Sequence, residues 1–205
     1  AVAHLTRGLN LLAKLPDTVD CRRRELELQV ALGSVIAGTK GLASRQAERA
    51  WRRARELCDA LEESTQLIHV LRGQCAFHVV RAEFARMRAT GEDMVRIGED
   101  IGDTQLQFTG RRAIGTSMFY MGQLTSARQQ LENVLISGSE AFFGIFTSTR
   151  IVALSHLSLV LVISGYAEQA RLRSVEAMSL AQELSHPASI AYVRSYLFMV
   201  YELCG

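Results

Sequence analysis

The sequence predicts an all-α chain, built as a repeat of antiparallel helical hairpins. Three observations lead to this prediction: small residues recur about every 40 residues, apolar residues follow helical spacing, and proline is scarce. Only Pro16 and Pro187 occur in 205 residues, which favours long uninterrupted helices. No stretch alternates apolar and polar residues between turns as a strand would, so we expect no sheet.

The repeat is marked by small residues that each follow an apolar stretch and precede a polar, helix-favouring stretch. These residues are Ala82, Gly122, Gly165 and Gly205, spaced by 40, 43 and 40 residues. Glycine at such a position supplies the left-handed backbone that ends a helix. Further small residues precede the first three turns by seven positions: Cys75, Gly115 and Ser158. They predict where two antiparallel helices cross closely.

An earlier copy of the repeat contains Gly33 and then Ala47, Trp51 and Ala54, with about two residues inserted near residues 38–41. Ala47, Trp51, Ala54 and Cys58 share one helix face. We expect the large side chains of Trp51 and Leu131 to fill the space against the next hairpin. The helices are predicted over residues 2–14, 20–37, 44–62, 65–81, 84–100, 104–121, 124–137, 148–164, 167–184 and 188–204.

One hairpin cannot bury both of its faces, so the hairpins are expected to stack. The fold class is therefore predicted as a right-handed solenoid of stacked antiparallel hairpins, tetratricopeptide-like, with a period of about 40 residues. Residues 1–205 are expected to form a single repeat domain, a fragment of a longer protein, because the apolar last helix is not the polar cap that ends a solenoid. The predicted units are 1–19 (half repeat), 20–63, 64–102, 103–147, 148–187 and 188–205 (half repeat).

The composition argues against disorder and against nucleic-acid or membrane partners. The chain is 48% hydrophobic, and 23 basic against 21 acidic residues give a net charge of +2. A basic helix face is interleaved with Glu48 and Glu56 and lacks stacking aromatics, so we do not expect nucleic-acid binding. Its arginines are Arg45, Arg49, Arg52, Arg53 and Arg55. The longest apolar run, residues 151–164, is shorter than the roughly 20 residues of a membrane span, so we interpret it as a buried helix.

The sequence contains no recognisable catalytic, cofactor-binding or metal-binding pattern. It has no P-loop, no G-x-G-x-x-G opening a helix and no G-x-S-x-G elbow. Its five histidines lack metal-ligand spacing and are interpreted as ordinary helix residues. Four scattered cysteines without C-x-x-C are read as reduced thiols of a cytoplasmic protein. We therefore predict a non-enzymatic fragment without cofactors.

In hairpin arrays of this kind the first helix of each hairpin lines a concave groove. Projecting that pattern onto the chain selects a set of candidate partner-binding residues: His69, Arg72, Arg112, Thr116, Phe119, Tyr120 and Ser155. Arg72 and Arg112 are candidates for gripping an acidic peptide or carboxylate, and the two aromatic rings for anchoring it. The alternative is that Phe119 belongs to the core and that the arginines are solvated or paired with glutamates.

Three further aromatic residues lie in an irregular segment of the predicted fold. Phe142, Phe143 and Phe146 are either tucked under the array or exposed as a docking patch, and the first is favoured because exposed aromatic clusters are uncommon.

Several segments resemble one group of large bacterial signalling proteins. They include His4-Leu-Thr-Arg-Gly-Leu-Asn-Leu-Leu-Ala-Lys-Leu-Pro-Asp-Thr18, Glu25-Leu-Glu-Leu-Gln-Val-Ala-Leu-Gly33, Thr39-Lys-Gly41, Glu48-Arg-Ala-Trp-Arg-Arg-Ala-Arg-Glu-Leu-Cys58, Ala113-Ile-Gly115, Tyr120-Met-Gly-Gln-Leu124, Gly165-Tyr-Ala-Glu-Gln-Ala170 and Glu183-Leu-Ser-His-Pro187. In that group a class III adenylate/guanylate cyclase domain, or sometimes a DNA-binding domain, precedes a STAND-type signalling ATPase and a tetratricopeptide-like array.

The resemblance implies that this chain lies directly after the ATPase module. Together with the repeat, it implies a non-catalytic sensor or scaffold that binds a protein, peptide or small effector and regulates the upstream domains of the same polypeptide. The alternative is an assembly module that forms homo-oligomers of the parent protein. The contacts would be made by the end faces of the array, which lack a polar capping helix, and by the segment of Phe142, Phe143 and Phe146.

Overall fold

The computed structural model describes residues 1–136 and 148–204. Within those ranges the chain forms ten helices and no strand, and each helix begins and ends within three residues of its predicted limits. The helices are α1 Val2–Leu12, α2 Val19–Lys40, α3 Arg45–Leu61, α4 Ser64–Val80, α5 Phe84–Ile101, α6 Thr104–Tyr120, α7 Leu124–Ile136, α8 Thr149–Ile163, α9 Ala167–Glu183 and α10 Pro187–Cys204. The predicted all-α, tetratricopeptide-like hairpin fold is confirmed.

The chain divides into two compact units, each of which is described by itself. Unit 1 is Ala1–Met87 and contains α1 to α4 with the start of α5, and unit 2 is Arg88–Gly205 and contains the remaining helices. The expectation that residues 1–205 form one domain stays a prediction.

The hairpin turns depend on single residues in the left-handed backbone conformation. Ala82, Gly122 and Gly165 occupy this conformation, with φ of 56°, 76° and 88°, as the repeat pattern predicts. Three further turns use residues that the pattern did not single out, Glu62, Gly102 and Ser185, and Gly41 after α2 also has a positive φ, of 90°. From residue 62 to residue 122 the left-handed positions therefore recur every 20 residues, once per helix, and Gly205 lies outside the described residues.

The core of unit 1 is organised around the buried indole of Trp51 on α3. Gly33 on α2 and Gly73 on α4 both lie against this ring, and a Cβ atom at either position would overlap it. Trp51 therefore fills the space between α2 and α4, as the sequence predicted. The two glycines make room for it because they have no side chains.

Glycine also sets a close helix crossing in unit 2. A Cβ atom on Gly110 of α6 would lie 2.5 Å from the carbonyl oxygen of Gly91 on α5, so the two backbones meet directly. On the next crossing, Gly115 of α6 lies against the buried side chain of Leu131 on α7.

α8 is the most deeply buried helix of unit 2 and packs against α6, α7, α9 and α10. Eleven of its fifteen residues are buried, which confirms that the apolar run 151–164 is a core helix. No helix among the described residues has the length and apolar character needed to cross a membrane.

The Gly73→Ala substitution should destabilise the chain by about 1–3 kcal/mol, because the new methyl group overlaps Trp51 in a packed core. The measurement is the free energy of unfolding in urea. Gly8→Ala on α1 is the control, since its Cβ would meet only the flexible end of Leu28 at 3.2 Å. Equal effects of the two substitutions would contradict the packing role of Gly73.

Ala82→Gly should stabilise the chain by up to about 1 kcal/mol, because alanine at φ 56° carries a steric cost that glycine lacks. The same substitution at Ala89, an exposed position inside α5, should destabilise by about 0.5–1 kcal/mol through helix propensity. Thermal and urea unfolding of both variants test the difference in sign, and a loss of stability at both positions would contradict the proposed strain at the turn.

Candidate functional site

A buried imidazole lies at the centre of unit 2. His156, in the middle of α8, is only 2% exposed. Its Nδ1 lies 2.9 Å from the carbonyl oxygen of Val152. A carbonyl only accepts hydrogen bonds, so Nδ1 carries the proton and donates to it. The Nε2 atom is therefore free to accept a hydrogen bond from the hydroxyl of Tyr196 on α10, at 3.1 Å.

Aromatic side chains from three helices surround this imidazole. Tyr192 and Tyr196 lie one turn apart on α10, with ring centroids 4.7 Å apart. Phe119 and Tyr120, at the end of α6, place their rings 6.0 and 5.8 Å from the imidazole. The Tyr120 hydroxyl lies 3.5 Å from that of Tyr196. We call Tyr120, His156, Tyr192 and Tyr196 the tyrosine–histidine cluster.

The buried members of the cluster, His156, Tyr192 and Tyr196, are electrically neutral over the ordinary pH range. Burial, opposed by the bond to Val152 and assisted by the nearby positive charge of Arg112, lowers the pKa of His156 from 6.5 to about 4. Burial raises the pKa of Tyr192 and Tyr196 well above the usual tyrosine value, so both remain hydroxyl donors. The exposed part of the cluster therefore offers hydroxyl groups and ring faces rather than charge.

Arg112 on α6 lies near the cluster, close enough for its positive charge to act on His156 and Tyr192. Its side chain is half-buried and forms no hydrogen bond or ion pair with any residue that the structure describes. Seven of the nine arginines in unit 2 do pair with an aspartate or glutamate: Arg88, Arg96, Arg111, Arg128, Arg150, Arg171 and Arg173. Arg112 is thus a guanidinium that lacks a carboxylate within the described chain.

The structure brings together three of the predicted binding residues, Arg112, Phe119 and Tyr120, on the face of unit 2 that carries the cluster. Thr116, on the same side of α6, is fully buried, and its hydroxyl has no hydrogen-bond partner among the described residues. Ser155 is 1% exposed and donates its hydroxyl to the carbonyl of Ile151 at 2.8 Å. These two side chains therefore lie beneath the face rather than on it.

The other predicted binding residues belong elsewhere. His69 and Arg72 lie on α4 in unit 1, where His69 is exposed and Arg72 is half-buried. Phe142, Phe143 and Phe146 lie outside the described residues, so whether they are tucked or exposed stays a prediction.

Sequence reasoning missed His156, Tyr192 and Tyr196 as members of the site. The i, i+4 spacing of Tyr192 and Tyr196 is a signal that the two share one helix face, but nothing in the sequence indicates that this face packs against His156. The imidazole itself was interpreted as an ordinary helix histidine inside an apolar run.

Unit 1 contains a cavity of about 660 Å³ bordered by α1, α2 and α3. The charged groups around it are already paired: Arg22 with Asp17 at 2.6 Å, and Arg53 with Glu25 at 2.8 Å and with Glu56 at 3.2 Å. A ligand entering this cavity would find no uncompensated arginine, in contrast to the face beside Arg112. In the part of the chain that the structure describes, no group of three or more His, Cys, Asp or Glu side chains is arranged to hold a metal ion.

No family model matches the chain, and no curated protein matches it. The structure is similar to that of NprR in complex with its cognate peptide NprX, with a TM-score of 0.65 and 12% sequence identity. The similarity covers 98% of this chain and 56% of the NprR chain, so this chain spans about half the length of that protein. At this identity the comparison shows the fold alone, a tetratricopeptide-like helical repeat.

Acidification from pH 6.5 towards pH 4 should destabilise the chain through His156. Its pKa of about 4 in the folded state lies below its ordinary value of 6.5, so the unfolded chain binds the proton more readily. The contribution of the neutral imidazole to the free energy of unfolding is fully present above pH 6.5. Its loss as the pH falls through 4 lowers the free energy of unfolding by roughly 3 kcal/mol. Urea unfolding across this pH range measures it.

His156→Gln should flatten this pH dependence, and His69→Gln, at an exposed histidine of α4, is the matched control for replacing an imidazole. An identical pH dependence in the wild-type chain and in His156→Gln would show that the imidazole is not held neutral in the folded state.

Proposed function

We propose that the chain is a non-catalytic binding module that receives a peptide segment of a partner protein. The peptide binds on the face of unit 2 formed by Arg112, Phe119 and Tyr120, which we call the Arg112 face. The observation that supports this most strongly is the half-buried guanidinium of Arg112, which has no acidic partner among the described residues and lies near the tyrosine–histidine cluster. A carboxylate on the partner would supply the missing counter-charge, and guanidinium–carboxylate pairs are among the stronger hydrogen-bonded pairs in proteins.

The neighbouring side chains favour a peptide over a small inorganic anion. Tyr120 is 42% exposed and presents both a ring face and a hydroxyl. Arginine and tyrosine, together with tryptophan, are enriched among the few residues that dominate the binding energy of protein interfaces. Because His156 is neutral, the positive charge near the cluster that we assign to binding is that of Arg112, and it matches one carboxylate flanked by apolar or aromatic residues.

The NprR comparison supports the class of partner, since NprR binds its cognate peptide NprX on the same general fold. We further propose that the module regulates or scaffolds an ATPase or nucleotide-cyclase domain that lies upstream in the same cytoplasmic polypeptide. Its support is the resemblance of segments such as residues 4–18 and 48–58 to the array of such signalling proteins.

A randomised peptide pool selected against the chain should yield binders that contain a carboxylate essential for binding. Arg112→Gln should weaken a selected peptide at least tenfold, because a charge-assisted hydrogen bond contributes about 1.5–3 kcal/mol. Fluorescence anisotropy of the labelled peptide measures the affinity. Peptides with an amidated C-terminus, or with Asp and Glu replaced by Asn and Gln, show which carboxylate is recognised.

Arg88→Gln is the matched control, because Arg88 is already paired with Glu92 at 2.8 Å, and it should change the affinity by less than about twofold. Equal losses in both variants, or selected peptides that bind without any carboxylate, would refute the assignment of the face. The proposed regulation is tested in the longer polypeptide by measuring ATP hydrolysis and cyclic-nucleotide production with and without a selected peptide. If the peptide changes neither activity, the proposed regulation is refuted.

A further inference from the structure

α10 departs from the repeat pattern at Phe198. The equivalent positions on α4, α6 and α8 are Cys75, Gly115 and Ser158, and all three are small and buried. Phe198 is instead large and 65% exposed. The close crossing that Gly115 makes against Leu131 is unavailable to a helix packing over Phe198, because the ring occupies that space. This face of α10 is therefore suited to a different kind of partner.

The charges of α10 are arranged symmetrically about Phe198. Arg194 lies four residues before it and Glu202 four residues after it, and they are the only charged residues of the helix. Both are exposed, and neither forms an ion pair or hydrogen bond with another described residue. Four-residue steps correspond to about 40° of rotation, so the three side chains share one face.

We propose that this face binds the same face of a second copy of the chain, with the two α10 helices antiparallel across a two-fold axis at Phe198. In that arrangement residues at equal distances from Phe198 lie opposite each other. Arg194 of each copy then faces Glu202 of the other, and the two Phe198 rings meet at the axis. A two-fold contact of this kind requires one self-complementary surface, and a charge pattern of opposite sign about its centre provides it.

Neighbouring apolar groups extend the surface. Tyr201 is 49% exposed, and the guanidinium of Arg171 on α9 lies 6.0 Å from its ring centroid. Val175, one turn further along α9, is also exposed. Because the contact is built from one face of α10 and part of α9, the dimer is expected to dissociate at about micromolar concentrations.

The dimer goes beyond the proposed function and does not compete with it. Phe198 and Tyr196 are two residues apart and therefore point about 160° away from each other around α10. Pairing through Phe198 leaves the Arg112 face of each copy accessible to a peptide.

Sedimentation velocity of the 205-residue chain over a concentration series tests the pairing. We expect a reversible monomer–dimer equilibrium that Phe198→Ala weakens at least tenfold. Leu203→Ala removes another exposed apolar side chain from α10, about 140° around the helix from Phe198, and should change the equilibrium less than twofold. A chain that is monomeric at every concentration, or equal effects of the two substitutions, would overturn the proposal.

Charge reversal tests the antiparallel register. Arg194→Glu alone and Glu202→Arg alone should each abolish the dimer, because every facing pair then has like charges. An equimolar mixture of the two variants should form a heterodimer, and the double variant Arg194→Glu/Glu202→Arg should form a homodimer again. If the single variants still dimerise, or if neither the mixture nor the double variant does, the register is wrong. Circular dichroism confirms that each variant remains helical.

Discussion

The close approach of helices at positions without side chains is the constraint on which the rest of the structure depends. Trp51 is accommodated only because Gly33 and Gly73 leave room for its indole, and the α5–α6 crossing brings the backbones of Gly91 and Gly110 together. Each crossing fixes how far apart neighbouring helices lie. In unit 2 these distances allow α8 to be buried between α6, α7, α9 and α10, and they place the ends of α6 and α10 beside it.

Burying α8 creates a second requirement, because a polar group inside a core must be hydrogen-bonded. His156 meets it with Val152 on its own helix and with Tyr196 on α10. The imidazole thereby fixes the orientation of the Tyr196 hydroxyl, which in turn lies within reach of Tyr120 on α6. The face that we assign to peptide binding is thus the outer side of a network whose inner end is a buried, neutral histidine.

The helices could be predicted because apolar spacing and small residues are local signals, and each signal lies within one hairpin. The turn residues Glu62, Gly102 and Ser185 could not, since the 40-residue pattern marks only the alternate turns, at Ala82, Gly122 and Gly165. For the site, the projection onto first helices found Arg112, Phe119 and Tyr120. It did not find His156 or Tyr196, because their contact joins residues 40 positions apart on two helices, and no pattern within one helix records it.

The protonation state of His156 tests this account most directly, since the neutral imidazole is the acceptor for Tyr196 and links α8 to the exposed tyrosines. Nitrogen-15 correlation spectra of the imidazole can be followed from pH 7 down to about pH 5, above the folded-state pKa of about 4. The account predicts a protonated Nδ1 and an unprotonated Nε2 throughout this range. An imidazole that titrates near its ordinary pKa of 6.5, or that carries its proton on Nε2, would contradict it.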